Sequence, residues 1–289
     1  AVAALNYHHL RYFREVAHEG HLTRAAQRLN VSQSALSAQI KQLEDRLGQA
    51  LFERQGRSLQ LTEAGRIALD YADTIFAAGD ELTATLQQTG HTRQALRVGA
   101  LATLSRNFQL TFLKPVLDRP DVEVVLRAGG AAELFSALNA LQLDVVLTNE
   151  APQADALQPY RVHRIDEQPV SLIGTPALVE LGDSLAERLA RAPLVLPTRS
   201  SALRIGIDGV LAQLEIQPQI AAEIDDMAML RLLTREGVGL AVIPPIVVRD
   251  ELERGELIEA DRLPALSETF YAVAVERRFP NPLLRDLLP

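Results

Sequence analysis

Residues 23–43, TRAAQRLNVSQSALSAQIKQL, predict two short helices joined by a tight turn. The turn falls at Asn30 and Val31. Ser32 is a good N-cap for the second helix, because its hydroxyl can accept a hydrogen bond from an unpaired backbone N–H. Apolar residues then recur every three or four positions and predict one buried stripe on the second helix, formed by Leu36, Ile40, Leu43 and Leu47.

The opposite face of the second helix is polar. It carries hydroxyl and amide side chains and one cation, namely Gln33, Ser34, Ser37 and Lys41. Glutamine can pair with adenine in the major groove, and hydroxyls and free N–H groups suit phosphate oxygens. A helix with one side to bury and one polar side is typical of a DNA recognition helix. An ordinary helical hairpin in an all-α core is the alternative.

A turn with two arginines follows this hairpin. Arg54, Gly56 and Arg57 are predicted to lie in the turn, and residues 58–61 alternate polar and apolar like a short strand. This pattern indicates a wing that reaches toward phosphates or the minor groove, with a solvated surface hairpin as the alternative. The predicted DNA-binding residues are Thr23, Ser32, Gln33, Ser34, Ser37, Lys41, Arg54 and Arg57.

The charge distribution agrees with a local DNA-binding segment. Residues 1–62 hold eight Lys and Arg against five acids, a net charge of +3. Because the whole chain has a net charge of −8, the remainder carries −11. An acidic remainder would be repelled by DNA, which confines binding to the N-terminal segment. The modest excess of +3 indicates that two or more copies act together.

A long helix is predicted next, over residues 63–88, which contain no proline. Thr62 is its N-cap, and Glu63 lies in its first turn, where an acid favours the helix dipole. About 26 residues of helix span roughly 40 Å. Its apolar stripe is predicted to pair with a second copy of the chain, with packing inside the same chain as the alternative. The predicted dimerisation residues are Ile67, Tyr71, Ile75, Leu82 and Leu86.

Strand-like and helix-like stretches alternate beyond residues 90–93, which break the helical pattern. The predicted strands are 95–99, 122–127, 144–148, 170–173, 194–196, 219–224, 240–243 and 270–275, and the predicted helices are 106–117, 131–141, 202–214, 227–236 and 245–253. This order predicts an α/β domain with a mostly parallel sheet. Such sheets bind ligands at the carboxyl ends of their strands.

The segment TRAAQRLNVSQSALSAQIKQLEDRLGQALFERQGRSLQLTEAG resembles the DNA-binding segment of LysR-type transcriptional regulators. Shared features include Ser32-Gln33, the paired alanines and the spacing of the leucines, and residues 96–99, 143–147 and 237–244 agree more loosely. Within the family, residues 5–7 with Leu10 and residues 70–73 point to the group that regulates sodium/proton antiporters.

The resemblance implies the domain organisation. It predicts a winged helix-turn-helix over 1–62, a linker (dimerisation) helix over 63–92, and a two-lobed effector domain over 93–289, similar to the type II periplasmic binding proteins. Lobe I is predicted to comprise 93–164 and 267–289, and lobe II 165–266. The family also implies a homodimer or tetramer on a double-stranded DNA operator, contact with RNA polymerase and a small-molecule effector between the lobes. No other cofactor is expected.

Strand ends and helix starts predict where the effector binds. The family commonly binds carboxylate metabolites at loops equivalent to 99–105 and 198–201. The predicted effector-binding residues are Ala100, Leu101, Thr103, Ser105, Thr148, Asn149, Thr198, Arg199, Ser200, Ser201 and Ile243. The alternative is that three of these residues are ordinary helix caps: Thr103, Ser200 and Ser201.

Three acids suggest a second hypothesis, in which the effector is a cation. Glu150, Asp225 and Asp226 would favour a cation such as Na⁺ or Ca²⁺ if two of them faced the cleft, since hard cations prefer oxygen ligands. Solvated caps, or salt bridges to Arg199 or Arg204, are the alternative.

Other functional classes lack their motifs. The chain has no cysteine, no G-x-x-x-x-G-K-S/T loop, no G-x-G-x-x-G, no G-x-S-x-G elbow and no H-E-x-x-H frame, so no catalytic residue and no metal site is predicted. An α/β enzyme with a DNA-binding arm and a solute-binding protein for transport are the competing hypotheses. A missing signal peptide and the absence of an apolar run near 18 residues predict a cytoplasmic protein without a membrane span.

Overall fold

The computed structural model describes residues 5–55, 58–88, 93–152 and 160–289. It divides into two compact units, Ala1–Thr83 and Ala84–Pro289, each described by itself. Arg57 and the predicted boundary at residues 90–92 lie outside the described residues. The long helix of the first unit continues a few residues into the second.

The first unit is a winged helix-turn-helix. Its elements in chain order are α1 (Tyr7–Glu19), α2 (Leu22–Arg28), α3 (Gln33–Leu47), β1 (Phe52–Gln55), β2 (Ser58–Leu61) and α4 (Glu63–Gln88). β1 and β2 form an antiparallel two-stranded sheet. Local signals explain these bounds: Ser32 accepts a 3.1 Å hydrogen bond from the N–H of Ala35, and Gly48 ends α3 with φ of 69°.

Two apolar clusters hold this unit together. One cluster joins α1, α3 and α4 around Phe13, Leu43 and Phe76, and the other joins α1, α2 and α3 around Ala26 and Leu36. The predicted stripe on α3 is therefore buried through Leu43. Leu47 is wrongly included in that stripe, because it lies in the last turn of α3 and is 43% exposed.

Helix α4 is 26 residues long, as predicted. Ala72 and Phe76 are buried against the winged helix-turn-helix, and Ile75 packs partly against the same cluster. The alternative of packing within the same chain therefore holds for one face of the helix. Four apolar side chains on α4 are 55–67% exposed: Ile67, Tyr71, Leu82 and Leu86.

The second unit is an α/β domain with one eight-stranded sheet. Its strands are β3 (Gln94–Leu101), β4 (Val122–Gly129), β5 (Val145–Thr148), β6 (Tyr160–Gly174), β7 (Pro193–Pro197), β8 (Gln219–Ile224), β9 (Leu240–Ile243) and β10 (Ile258–Val275). Its helices are α5 (Arg106–Leu117), α6 (Ala131–Asn139), α7 (Pro176–Val179), α8 (Leu185–Arg191), α9 (Ala202–Gln213), α10 (Met227–Arg235) and α11 (Arg249–Glu253), with short 3₁₀ helices at Pro245–Val248 and Pro282–Asp286.

The strand order is β4-β3-β5-β10-β6-β9-β7-β8. Pairings β3–β4, β3–β5, β7–β8 and β7–β9 are parallel, whereas β10–β5, β10–β6 and β6–β9 are antiparallel. The predicted parallel character thus holds at both ends of the sheet. The antiparallel pairings are made by two long strands that run through its middle.

These long strands divide the unit into two lobes. Lobe I has one apolar core, built on β3, β5 and the end of β10. Lobe II has cores on both faces of β7 and β9. β6 and β10 pair along both lobes, and their register shifts between Leu263 and Ser267, where β10 passes from lobe II to lobe I. The sequence predicted only the buried ends of these strands, because their crossing segments are polar.

Candidate functional site

Helix α3 presents its predicted polar face to solvent. Gln33, Ser34, Ser37 and Lys41 are all exposed. Thr23, in the first turn of α2, is also exposed and donates a 3.3 Å hydrogen bond from Oγ1 to Oε1 of Gln33. The structure therefore brings together the polar residues of α2 and α3 on one surface, beside the N-terminus of α3.

Ser32 has a structural contact that uses its hydroxyl. Its Oγ caps Ala35 and lies 3.1 Å from Oγ of Ser34. Both hydroxyls remain exposed. Lys41 lies 3.6 Å from Asp45, one turn further along α3, and an exposed pair of this kind is weak enough for Lys41 to exchange it for a phosphate.

Arg54 lies in strand β1, opposite Leu59, and not in the turn as predicted. The reason is that residues 52–55 pair with β2 and extend the wing by a strand that the sequence pattern did not show. The side chain of Arg54 is exposed. Arg57 lies outside the described residues.

The wing is anchored to α3 by a residue that the sequence analysis missed. Oε1 of Glu44 accepts hydrogen bonds from the backbone N–H groups of Leu51, at 2.7 Å, and Phe52, at 3.2 Å. Glu44 thus sets the position of β1 relative to α3. Its only sequence signal is an acid near a glycine helix end, which is too common to single it out.

A cavity of about 380 Å³ lies in the second unit, where the two lobes and strand β10 meet. The size is within the range of small-molecule sites in proteins. The end of β5 contributes to it from lobe I and α9 from lobe II. Its lining residues are Asn149, Glu150, Ala151, Ala202, Leu203, Gly206, Leu266, Ser267, Glu268, Thr269 and Tyr271.

The polar contacts in the cavity connect its three sides. Nδ2 of Asn149 donates a 2.7 Å hydrogen bond to Oε1 of Glu268. Oε1 of Glu150 accepts a 3.3 Å hydrogen bond from the N–H of Ala202, at the start of α9. Thr103 lies next to the cavity, with Oγ1 at 3.5 Å from Oδ1 of Asn149. Lobe I is therefore bonded both to β10 and to the first residue of α9.

Glu268 is buried, with 6% of its surface exposed. Burial raises the pKa of its carboxyl to about 7, against the opposing effect of the hydrogen bond from Asn149. Glu268 is not among the predicted site residues, because the predicted strand begins at Phe270. Residues 267–269 are three consecutive polar residues, so the sequence pattern carries no strand signal at Glu268.

Asn149 alone of the predicted effector-binding residues lines this cavity. Ala100, Leu101 and Ile243 lie in strands and pack in the apolar cores. Their side chains therefore do not reach the cavity. The predicted loop at 99–105 is shorter than expected, since β3 extends to Leu101.

Several predicted hydroxyls make local contacts. Ser105 is buried and caps α5 by accepting from the N–H of Phe108 at 3.3 Å. Oγ1 of Thr148 accepts from the N–H of Glu150 at 3.0 Å. Thr198 and Ser200 lie in the turn before α9 and contact each other at 3.2 Å.

Ser201 is the N-cap residue of α9 but makes no side-chain capping bond there. Arg199, two residues before it, is exposed. Both residues are near the cavity in sequence, since Ala202 is one of its lining residues. The carboxylate of Glu150 takes the capping position that Ser201 leaves open.

The acids of the cation hypothesis do not form one site. Asp226 caps α10 by accepting a 2.8 Å bond from the N–H of Ala228, and it lies 4.0 Å from Arg106. Glu150 instead bonds to the start of α9. Within the described ranges there is no group of three or more His, Cys, Asp or Glu that could hold a metal ion. Nor does any described helix combine the length and apolarity needed to cross a membrane.

Comparison with known proteins gives two family matches. Residues 7–66 match the bacterial regulatory helix-turn-helix protein, lysR family, and residues 89–288 match the LysR substrate binding domain. The first match lies within the first unit, and the second match covers nearly all of the second unit.

Individual relatives agree with these matches. The RuBisCO operon transcriptional regulator of Allochromatium vinosum is 28% identical over 258 residues, covering 87% of this chain and 83% of that protein. The transcriptional activator protein NhaR of Escherichia coli (strain K12) is 25% identical over 290 residues, covering 99% and 95%. The crystal structure of Vibrio fischeri DarR in complex with DNA has a TM-score of 0.53 at 20% identity, covering 96% and 94%, and shows the same fold.

Proposed function

The chain belongs to the LysR family of DNA-binding transcriptional regulators with an effector-binding domain, and from this premise we propose how its residues carry out that function. The exposed face of α3 binds an operator, and the exposed stripe of α4 joins two copies of the chain. A small molecule in the cavity between the lobes modulates operator binding. The observation that supports the proposal is the exposed polar face of α3, a helix whose other face is buried at Leu36, Ile40 and Leu43.

DNA binding follows from the geometry of α3. Its buried face fixes the helix to the rest of the unit, and its polar face can enter the major groove. In this proposal Gln33 reads a base edge, whereas Ser34 and the N-terminal N–H groups bind phosphates. Arg54 on the wing adds a contact that depends on charge and not on sequence.

Dimerisation follows from the exposed apolar stripe of α4. Four large side chains that are more than half exposed on one helix are unfavourable in water and are typical of an interface. Two copies would place two recognition helices on successive turns of DNA and double the local positive charge. We further propose that the bound dimer or tetramer contacts RNA polymerase, which is one way for a DNA-bound regulator to change transcription. We also propose that it acts in the cytoplasm, where the chromosomal DNA of a bacterium lies.

Effector control follows from the position of the cavity. Its walls come from lobe I, from lobe II and from β10, which is shared by both lobes. A ligand that contacts all three walls binds one lobe arrangement more tightly than others and so shifts their populations. The enzyme hypothesis gains no support, since both family matches describe regulators.

The test is selection of bound sequences from random DNA by the full chain, followed by footprinting of the enriched site. We expect a site with two related half-sites about one helical turn, or a multiple of it, apart. Enrichment of no sequence over the starting pool, with binding that depends only on salt, would overturn the proposal.

A further inference from the structure

The lining of the cavity between the lobes is acidic. Its lining includes two acids, Glu150 and Glu268, and no lysine, arginine or histidine among the eleven residues that form it. Apolar surface lies beside the acids, from Ala151, Leu203 and Leu266. A site with this lining is complementary to a molecule with a positive group and a short apolar part.

Among the described residues, no cation forms a salt bridge with Glu268. Across the described part of the chain, its one hydrogen-bond partner is Asn149, which occupies Oε1. Ionising a buried carboxyl is costly when no cation in the cavity lining offsets the charge. The free oxygen of Glu268 therefore has hydrogen-bonding capacity that a ligand in the cavity can use.

We propose that the effector of this regulator is a small organic cation, a primary amine or guanidine, whose charged group binds Glu268 in the cavity between the lobes. This inference rests on the proposed function, because it names the chemical class of the effector for that site. The ammonium would bond to the free oxygen of Glu268 and lie within the field of Glu150, while the carbon chain would pack on Leu203 and Leu266.

The titratable groups around Glu268 favour an amine over a carboxylate as the ligand. Tyr271 and Glu150 line the same cavity. On the neighbouring strand β6, Glu167 accepts a 2.8 Å hydrogen bond from Ser267 and pairs with Arg164. An anionic ligand would meet the carboxylate of Glu150 with no cation in the lining to offset it.

A bare metal ion fits less well. A cavity of about 380 Å³ is far larger than a single ion, and the described residues supply no group of three acidic or histidine ligands. Metal ions of the hard class take six or more oxygen ligands at short distance. An organic cation fills the volume and needs fewer ligands.

Ionisation of Glu268 makes amine binding sensitive to pH. Because burial holds the pKa of this carboxyl near 7, only about a tenth of empty sites are ionised at pH 6 and about nine-tenths at pH 8. An ammonium ligand selects the ionised form. Its affinity is therefore expected to rise about tenfold from pH 6 to pH 8, and binding at pH 7 is expected to release about half a proton.

The experiment uses the full chain and calorimetric titration with n-pentylamine and agmatine, beside pentanoate, 1-pentanol and Na⁺ at matched ionic strength. We expect both amines to bind, with tenfold tighter binding at pH 8 than at pH 6. Glu268→Gln should weaken amine binding at least tenfold and remove its pH dependence. Glu276→Gln, an exposed acid paired with Arg161 outside the cavity, is the matched control and should change neither.

Three outcomes overturn the proposal: tighter binding of pentanoate than of pentylamine, equal binding of Na⁺, or no amine binding at any pH tested. Proton release, measured in two buffers of different ionisation enthalpy, needs no variant and stays decisive if Glu268→Gln does not fold. Operator binding by the same preparation, without ligand, separates the two proposals. If operator binding persists and amines fail, only the effector class is wrong.

Discussion

Asn149 and Glu268 join lobe I to the crossing strand β10 through a single 2.7 Å hydrogen bond from the Asn149 amide to the Glu268 carboxyl. The two residues are far apart in sequence, and each lines the cavity from a different wall. Their contact couples the protonation of one buried acid to the structure around the candidate effector site.

The first prediction concerns stability against pH. The pKa of Glu268 is raised from 4.5 to about 7 in the folded protein, so its stabilising contribution is fully present below pH 4.5 and is lost as pH rises through 7. The full loss is on the order of 3 kcal/mol, and about 1 kcal/mol of it falls between pH 6 and 8. Glu268→Gln should lack this loss. Thermal unfolding of both proteins at pH 6 and pH 8 measures it, and parallel pH curves would contradict the assignment.

The second prediction concerns the recognition helix. Gln33→Ala should weaken operator binding by about 1–3 kcal/mol without changing thermal stability, because the side chain is exposed and pairs with a base in the proposed complex. Fluorescence anisotropy with the selected operator measures this loss. Gln42→Ala is the matched control, since Gln42 is exposed on the same helix about two and a half turns away and so faces the opposite side. Equal losses in both variants would remove Gln33 from the interface.

The third prediction concerns the wing. Arg54→Ala should weaken binding to all DNA sequences alike and reduce the slope of log K against log salt by about 0.9, the value for one phosphate contact. Titrations of operator and random duplex between 50 and 200 mM salt, taken as roughly the range where such effects are large, would show it. If the loss were confined to the operator, Arg54 would be reading bases.

The fourth prediction concerns the exposed stripe of α4. Leu82→Glu places a charge among apolar side chains and should convert the dimer to a monomer, as measured by light scattering. Leu82 is chosen over Ile75 because Ile75 also packs within its own chain, so that its replacement would destabilise the fold. Gln87→Glu adds the same charge at an exposed polar position of the same helix and should stay dimeric. A dimeric Leu82→Glu protein would place the interface elsewhere.

Local signals made the winged helix-turn-helix predictable. Ser32 caps α3, Thr62 accepts a bond from the N–H of Gly65 at the start of α4, and Gly48 ends α3, and each effect needs only a few neighbouring residues. Leu47 was wrongly predicted to be buried, because a periodic pattern cannot show where the surface that α3 packs against ends.

The cavity was less predictable because its walls are brought together by tertiary structure. Glu268 belongs to a strand that passes between lobes, and its polar neighbours conceal that strand from pattern reading. Ile243 shows the opposite error: its position at a strand end matched the rule for ligand sites, but its side chain faces the core of lobe II. Strand ends indicate the correct edge of the sheet, and the side-chain directions decide which residues are available there.

The route of β10 also has a consequence for biosynthesis. Val146 of β5 pairs with Val273 of β10, so the sheet of lobe I is completed only after the whole of lobe II has been synthesised. β7, β8 and β9 lie in one continuous stretch and can assemble earlier on the ribosome. Until β10 arrives, β5 presents an apolar strand with an unpaired edge, which is the kind of surface that chaperones bind and that aggregates when translation stalls. A nascent chain stopped before residue 270 is therefore expected to be the form most dependent on chaperones.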